Sequence, residues 1–258
     1  MADDKIQGGM LCIFFTVQKG CESMALDARL QAVAAFVPSG SRAVDIGTDH
    51  AYLALSLQQE RGAASVIAAD KNAGPCEAAR HTLREAGLED VIPVRQGDGL
   101  AVLKPGEVDT ICIAGMGGQL IREILAAEPA VFAGTQRLVL QPMNAAENLR
   151  RWLYTAGWHI ADEALAADDG RLYEIIVAVP GRVAMPEAVL LSIGPVLWEK
   201  KPPLLQRQRL RKKLKLAQNL KPKLLQLKLH TKQTKAKSLE FKQKLSEIDR
   251  RVFVMMAI

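Results

Sequence analysis

Between residues 42 and 142 a short apolar run recurs five times, and four of the five runs stop on a glycine or an acid. The runs occupy 42–46, 64–70, 91–95, 108–114 and 137–141. Runs of this length, bounded by breakers and apolar on every second residue and its neighbour, fit strands buried on both faces. The segments between them carry apolar residues three and four apart, the spacing of a helix with one buried stripe. Leu26, Leu30, Val33, Ala34 and Val37 set this spacing from Met24 onward, ahead of the first run. It returns at about 50–61, over Ala78 to Ala86 up to Gly87, through Leu120 to Leu125, and at about 145–155. Strands joined by helices in this way lie parallel, with right-handed crossovers and helices on both faces. Two later runs, 158–164 and 173–179, flank Asp168-Asp169-Gly170 and read as a hairpin. The expected fold is a doubly wound α/β sheet of seven strands.

In such a sheet a ligand lies across the C-terminal strand ends. The first end is Asp45-Ile46-Gly47-Thr48-Asp49-His50. Gly47 permits a tight turn, and Thr48 and Asp49 are good N-caps for the helix that follows. The other ends contribute Asp70, Asp98-Gly99, Gly115-Met116-Gly117-Gly118 and Gln141-Pro142-Met143-Asn144. Asp70 follows Gly47 by 23 residues, near the interval at which an acid reaches ribose hydroxyls. Asp98 can accept from an adenine amino group. The set specifies an adenosine. It does not specify a dinucleotide, because the turn lacks the second and third glycines of a pyrophosphate-binding loop and carries Asp49 where a phosphate would sit. An acid there suits a cation, such as the ammonium or sulfonium of S-adenosylmethionine. No phosphate-cradling G-x-x-x-x-G-K-[ST] loop is present.

Charge divides the chain. Residues 1–181 hold 15 Lys and Arg against 23 Asp and Glu, a net of −8, whereas residues 182–258 hold 19 against 5, a net of +14. An acidic body with a basic tail points to a polyanion as partner of the tail. Prolines at 202, 203 and 222 divide the tail into two helical stretches. Leu227, Thr231, Thr234, Ser238, Phe241, Leu245, Ile248 and Val252 keep a four-three spacing on the second. A coiled-coil-like helical hairpin results, serving either as a clamp on nucleic acid or as a dimer seam; its polar first half weakens the second reading. Cys12, Cys21, Cys76 and Cys112 form no C-x-x-C pair, as expected of reduced thiols in a cytoplasmic protein. No run approaches the roughly 20 apolar residues of a membrane span, and no metal site is expected. Residues 1–23 neither cap, pair nor repeat and read as an extension of uncertain status, leaving 24–181 as the main domain and 182–258 as the basic helical one.

The chain is similar to the bacterial tRNA (adenine-22-N1)-methyltransferases, a class I S-adenosylmethionine-dependent family. Leu26-Asp27-Ala28-Arg29-Leu30, Asp45 to Leu53, Gly97-Asp98-Gly99-Leu100, Ile113 to Gly118, Leu140-Gln141-Pro142 with Asn144, and Tyr173-Glu174-Ile175 carry the resemblance. Where the family favours Glu at the second strand end, this chain has Asp70, which keeps the ribose role with a shorter reach. The resemblance implies a Rossmann-like methyltransferase sheet, S-adenosylmethionine as cofactor, tRNA as partner, and transfer of a methyl group to adenine N1. It implies cofactor contacts from Arg29, Asp45, Gly47, Thr48, Asp49, Asp70, Asp98, Gly99, Gly115, Met116 and Gly117. His50, Gln141 and Asn144 would stand on the target side. Three residues keep two readings each. Asp49 binds the methionine ammonium or caps a helix. His50 faces the target adenine or satisfies a local hydrogen bond. Arg29 reaches the cofactor carboxylate or tRNA phosphate, or forms a surface ion pair. Other classes also stand: a methyltransferase for another RNA or a small molecule, and a non-catalytic RNA-binding protein on a cofactor fold. A monomer is the favoured state.

Overall fold

The computed structural model describes residues 26–206, and the elements follow the order the apolar runs dictate. The seven strands are β1 (Arg42–Ile46), β2 (Ser65–Asp70), β3 (Val94–Gln96), β4 (Thr110–Met116), β5 (Arg137–Pro142), β6 (Trp158–Asp168) and β7 (Arg171–Pro180). They form one sheet in the order β3-β2-β1-β4-β5-β7-β6. The first five strands are parallel, and β7 pairs antiparallel with both β5 and β6. The β6–β7 turn is Asp169-Gly170, both at positive φ, as a two-residue hairpin with the sheet's own twist requires.

Alternation along each strand sorts side chains onto two faces. Val44, Ile46, Ile111, Ile113, Leu138, Leu140 and Ile176 pack into one core. Ala43, Val66, Ala68, Cys112, Val139 and Ile175 pack into the other. Helices α1 (Ala28–Ala34), α2 (Tyr52–Gln59) and α3 (Ala73–Glu85) cover the second face. Helices α4 (Gly118–Ala127), α5 (Pro129–Gly134) and α6 (Ala146–Thr155) cover the first. The α1 helix starts at Ala28, where Asp27 Oδ1 accepts from the Leu30 N–H at 2.6 Å; Met24 lies outside the described residues. The short α5 was not expected from the sequence, since one turn and a half carries too few residues for a period to register.

Two expectations need correction besides the third strand, which is Val94–Gln96 and not 91–95 because the chain from 91 to 93 is still in the turn after α3. Thr48 and Asp49 do not cap α2. The residue before the helix is Ala51, in the left-handed region at φ 58°, and no side chain caps the end. The Thr48 hydroxyl instead donates to Asp45 Oδ2 at 2.8 Å. The second concerns β4, which runs through Gly115 and Met116 instead of stopping at Ala114, with its register slipping between Ala114 and Met116.

Residues 182–206 begin the basic segment, yet part of them packs on the sheet edge. Helices α7 (Ala188–Ile193) and α8 (Pro195–Lys200) bring Ile193, Leu197 and Leu205 into a small third core with Leu165 and Trp198. A buried ionic network fixes them. Arg150 on α6 is wholly buried. It donates to Glu163 on β6 at 2.7 Å, to Glu174 on β7 at 2.7 Å and to the Leu191 carbonyl at 3.0 Å. Glu163 Oε2 in turn accepts from the N–H groups of Val196 at 2.9 Å and Leu197 at 3.3 Å. Every polar atom of Glu163 thus has a partner, which is the condition under which a buried charge is tolerated. The proposed hairpin lies outside the described residues, as do Cys12 and Cys21. Cys76 and Cys112 are buried free thiols. Among the described residues no helix is long and apolar enough to cross a membrane.

Removing Glu163 takes away one of the two carboxylates paired with the wholly buried Arg150 and leaves the Val196 and Leu197 N–H groups without their acceptor, a loss that approaches the cost of breaking a buried pair, about 3–5 kcal/mol. Glu163→Ala should therefore lower the urea-unfolding free energy by about that much. Glu163→Gln, which keeps an acceptor for Val196 and Leu197, should cost clearly less. A loss below about 1 kcal/mol in Glu163→Ala would mean that Arg150 finds another partner.

Candidate active site

The C-terminal ends of β1 to β5 meet on one edge, and the turns that follow them build the site. Gly47 sits at φ 78°, and a Cβ there would lie 2.2 Å from Met116 Cε. The positive φ is what favours glycine here, and a side chain would also push the Met116 methyl aside. Gly47 and Thr48 both donate to the Ala69 carbonyl, at 2.8 and 3.0 Å, which ties this turn to β2. Asp49 and Ala51 also take positive φ, at 49° and 58°. Non-glycine residues in that region cost about 1 kcal/mol or more each and persist where the surroundings fix them. The two displace His50 outward, where it is half exposed and stacks on Tyr52 with ring centroids 5.4 Å apart. Its Nε2 lies 3.8 Å from the exposed Asp49 carboxylate.

Asp45 faces the α1 side, by the alternation that puts Ala43 there. It is buried, and burial pushes its carboxyl up to about 6. The hydrogen bond from Thr48 opposes the rise, the Asp70 carboxylate adds to it, and the Arg29 guanidinium works against it. Asp45, Asp70 and Arg29 therefore share one electrostatic neighbourhood. Asp70 Oδ1 accepts from the Asn72 N–H at 2.8 Å, which fixes the carboxylate at the β2 end. Asp98 is exposed and pairs with Lys71 at 2.7 Å. Gly99, at φ 53°, opens the short 3-10 turn after it.

Parity also explains a cluster that the sequence reading missed. Gln141, Tyr173 and Asp45 all point to the face covered by α1, two residues from Val139, Ile175 and Ala43 respectively. Arg29 on α1 meets them. Its Nη1 donates to Gln141 Oε1 at 3.1 Å, its Nη2 pairs with Asp27 at 3.0 Å, and its guanidinium lies 5.8 Å from the Tyr173 ring centroid. Gln141 Oε1 also accepts from the Gly115 N–H at 3.0 Å. Gln141 is fully buried, and its amide joins α1, β4 and β5 instead of lining an open pocket. In this structure the acceptor of this target-side candidate is already shared by two donors, Arg29 and Gly115. Arg29 is no isolated surface ion pair; three elements hold it at the mouth. Asn144 lies beyond Gln141, exposed, beside Gly117 and Gly118.

The donor set fits an adenosyl sulfonium ligand. A buried carboxylate held near 6 would gain from a cation placed against it, and the Asp70 carboxylate at the β2 end is of the type that accepts from hydroxyl groups. No group of three or more His, Cys, Asp or Glu that could hold a metal ion occurs among the described residues.

Known proteins agree with this geometry. Fold and site are those of a methyltransferase domain, whose family model matches residues 26–176. The chain is 42% identical over 183 residues to the tRNA (adenine(22)-N(1))-methyltransferase of Bacillus subtilis, covering 69% of this chain and 77% of that one. The crystal structure of the B. subtilis M1A22 tRNA methyltransferase TrmK superposes with a TM-score of 0.76 at 34% identity, covering 91% of this chain and 99% of that one. Streptococcus pneumoniae Sp1610 in complex with S-adenosyl-L-methionine gives a TM-score of 0.73 at 34% identity, over 79% and 95%. The chain belongs to the tRNA (adenine(22)-N(1))-methyltransferase family.

A carboxyl whose folded value lies above its unfolded one holds its proton more tightly in the folded state. Stability from that group is fully present below the unfolded value of 3.8 and is lost as pH rises through about 6. Asp45→Asn should accordingly stabilise the cofactor-free protein above pH 6, by about 3 kcal/mol. The gain over wild type should vanish toward pH 4. Thermal unfolding of both proteins across this range checks it, and a difference that does not change with pH would refute the buried-carboxylate account.

Proposed function

We propose that this chain transfers the methyl group of S-adenosylmethionine to N1 of adenine 22 in tRNA. The observation that carries the reading is the convergence of Asp45, Asp70 and the Gly47 turn on one sheet edge, in a chain 42% identical to a tRNA (adenine(22)-N(1))-methyltransferase. When bound, S-adenosylmethionine supplies an electrophilic methyl on a sulfonium. The residues of this chain orient the two reactants. In this reading Asp70 accepts from the ribose hydroxyls, and Asp98 accepts from the cofactor adenine once Lys71 shifts aside. Asp45, with Thr48, sets the turn over β1 and offers negative charge to the methionine ammonium. Arg29 faces the methionine carboxylate from α1, and Asp49 adds to the field at the turn.

Adenine N1 is largely unprotonated at neutral pH and attacks with its own lone pair. The N1–C bond forms as the C–S bond breaks, and the sulfur keeps the electron pair. The positive charge passes from sulfur to the base, so no strong general base is required and alignment supplies most of the rate. His50 and Tyr52, stacked at the mouth, present a flat surface on which a base drawn out of the tRNA can rest. The basic residues after 206 would hold the tRNA backbone, and a cytoplasmic location belongs to the same reading.

Labelled methyl transfer to unmodified tRNA should yield 1-methyladenosine at position 22; transfer to no tRNA nucleoside would remove the proposal. Asp70→Ala should weaken S-adenosylmethionine binding by roughly 100-fold in calorimetry, the scale of two lost hydrogen bonds to a charged acceptor. Affinity for the cofactor should also climb as pH rises from 5 to 7, as Asp45 ionises. Removing residues 207–258, and leaving α7 and α8 in place, should reduce tRNA binding and its salt dependence while sparing cofactor affinity. Retained tRNA affinity would assign that segment to another task.

A further inference from the structure

We propose that Asn144 reads the target adenine, its Oδ1 accepting from the N6 amino group and its Nδ2 donating to N7. The inference deepens the function proposed above and rests on it. Two side-chain amides stand at the end of β5, and they differ in one respect. Gln141 is buried, with Oε1 shared between Arg29 and Gly115 and with Nε2 3.6 Å from Met143 Sδ. Asn144 is exposed, and its amide makes no hydrogen bond among the described residues.

Its position is nonetheless fixed from several sides. The Gly118 N–H donates to the Asn144 carbonyl at 3.1 Å, and the Met143 N–H donates to the Met116 carbonyl at 2.8 Å. The turns after β4 and β5 are thus locked together around it. A Cβ on Gly118 would fall 2.8 Å from the Asn144 carbonyl oxygen and 2.9 Å from that of Ala145. A Cβ on Gly117 would fall 3.2 Å from Asn144 Oδ1. Ala145 follows in the left-handed region, at φ 51°, a conformation that surrounding structure must hold in place. From Ala146 onward α6 is pinned by the wholly buried Arg150. The backbone that carries Asn144 is thus held in place, while both polar atoms of its exposed side-chain amide are left open to an external donor–acceptor pair.

Location says which ligand. The acids that suit the cofactor end β1, β2 and β3. Asn144 follows β5, on the other side of β4 in the sheet, in the half left for the methyl acceptor. Chemistry says which group. Of the two purines only adenine sets an amino donor beside the ring-nitrogen acceptor of its N7 edge, and a side-chain amide matches that pair bidentately. Guanine offers two acceptors there, of which an amide can serve one. Gripped by that edge, adenine leaves N1 free on the opposite side of N6.

The test is methylation of two tRNA transcripts, one with adenosine and one with 7-deazaadenosine at the target position, by wild type, Asn144→Ala and Asn144→Asp. Loss of a bidentate amide–base pair should lower the Asn144→Ala rate on adenosine at sub-saturating tRNA by roughly 10- to 100-fold. S-adenosylmethionine affinity, measured by calorimetry on the same protein, should not change. The 7-deaza substitution should slow wild type and have little further effect on Asn144→Ala. Asn144→Asp, which keeps the N6 acceptor but loses the N7 donor, should fall between the two. Equal slowing of wild type and Asn144→Ala by the deaza base would overturn the assignment, as would a full rate in Asn144→Ala. Lost cofactor affinity in that variant would make Asn144 a cofactor contact instead. If wild type methylates no tRNA adenine, the functional reading fails and takes this one with it.

Discussion

The β1 strand is hydrogen-bonded to β2 on one side and to β4 on the other, and all three run the same way. A parallel ladder cannot be closed by tight turns, so each strand must be followed by a crossover that returns to the opposite edge. Every C-terminal end therefore arrives at one edge, and every turn there stands free of the ladder. The site exists because of this constraint. Asp45, Asp70, Gly115 and Gln141 are far apart in the chain and belong to four different units. Parallel register brings them level, Asp45 beside Cys112 and Ala114 beside Gln141. The Gln141 amide then joins two of these ends to Arg29 on α1, converting neighbouring turns into one rigid rim.

Much of the fold was legible because its signals are local. Seven apolar runs gave seven strands, and Asp168-Asp169-Gly170 gave the hairpin. The acids at the strand ends were legible for the same reason, since an acid that terminates an apolar run has few places to go. What escaped was set by contacts between distant residues. Thr48 looks like a cap, but Asp45, three residues earlier and buried, claims its hydroxyl. The Gln141 contact is hidden because nothing nearby in the sequence reveals that Arg29, 112 residues away, donates to it. Strand parity could have revealed it. Counting by twos from Val139 and Ile175 puts Gln141 and Tyr173 on one face, and Arg29 belongs to the first helix that covers that face. The Arg150 network was hidden in the same way. Glu174 shares the face of Ile176 and so meets α6, whereas its neighbour Tyr173 meets α1.

Among the described residues two carboxylates are buried, Glu163 and Asp45, and they are handled in opposite ways. Glu163 is met by Arg150 and by two backbone N–H groups, so its charge is compensated within the chain. Asp45 is met by one hydroxyl, while burial and a second carboxylate work against its ionisation and Arg29 relieves it only in part. The first arrangement secures the sheet edge from which the basic segment departs. The second leaves a negative charge under-compensated at the point where a ligand would lie. A site that satisfied Asp45 internally would be more stable and would have less to gain from binding a cation.

That asymmetry bears on selectivity as well. A sulfonium nucleoside and its demethylated product differ by one positive charge. A carboxylate left short of counter-charge favours the charged form, and the preference grows as surrounding water is removed, because interaction between charges strengthens at low dielectric. The Met116 side chain packs over Gly47 on one side of the turn. Transfer of the methyl group moves the positive charge from the sulfur onto the base, away from β1. In the proposed reading the field of a buried Asp45, maintained at some cost to the folded state, would reach the sulfonium as well as the ammonium and so would weaken the hold on the spent cofactor relative to the fresh one.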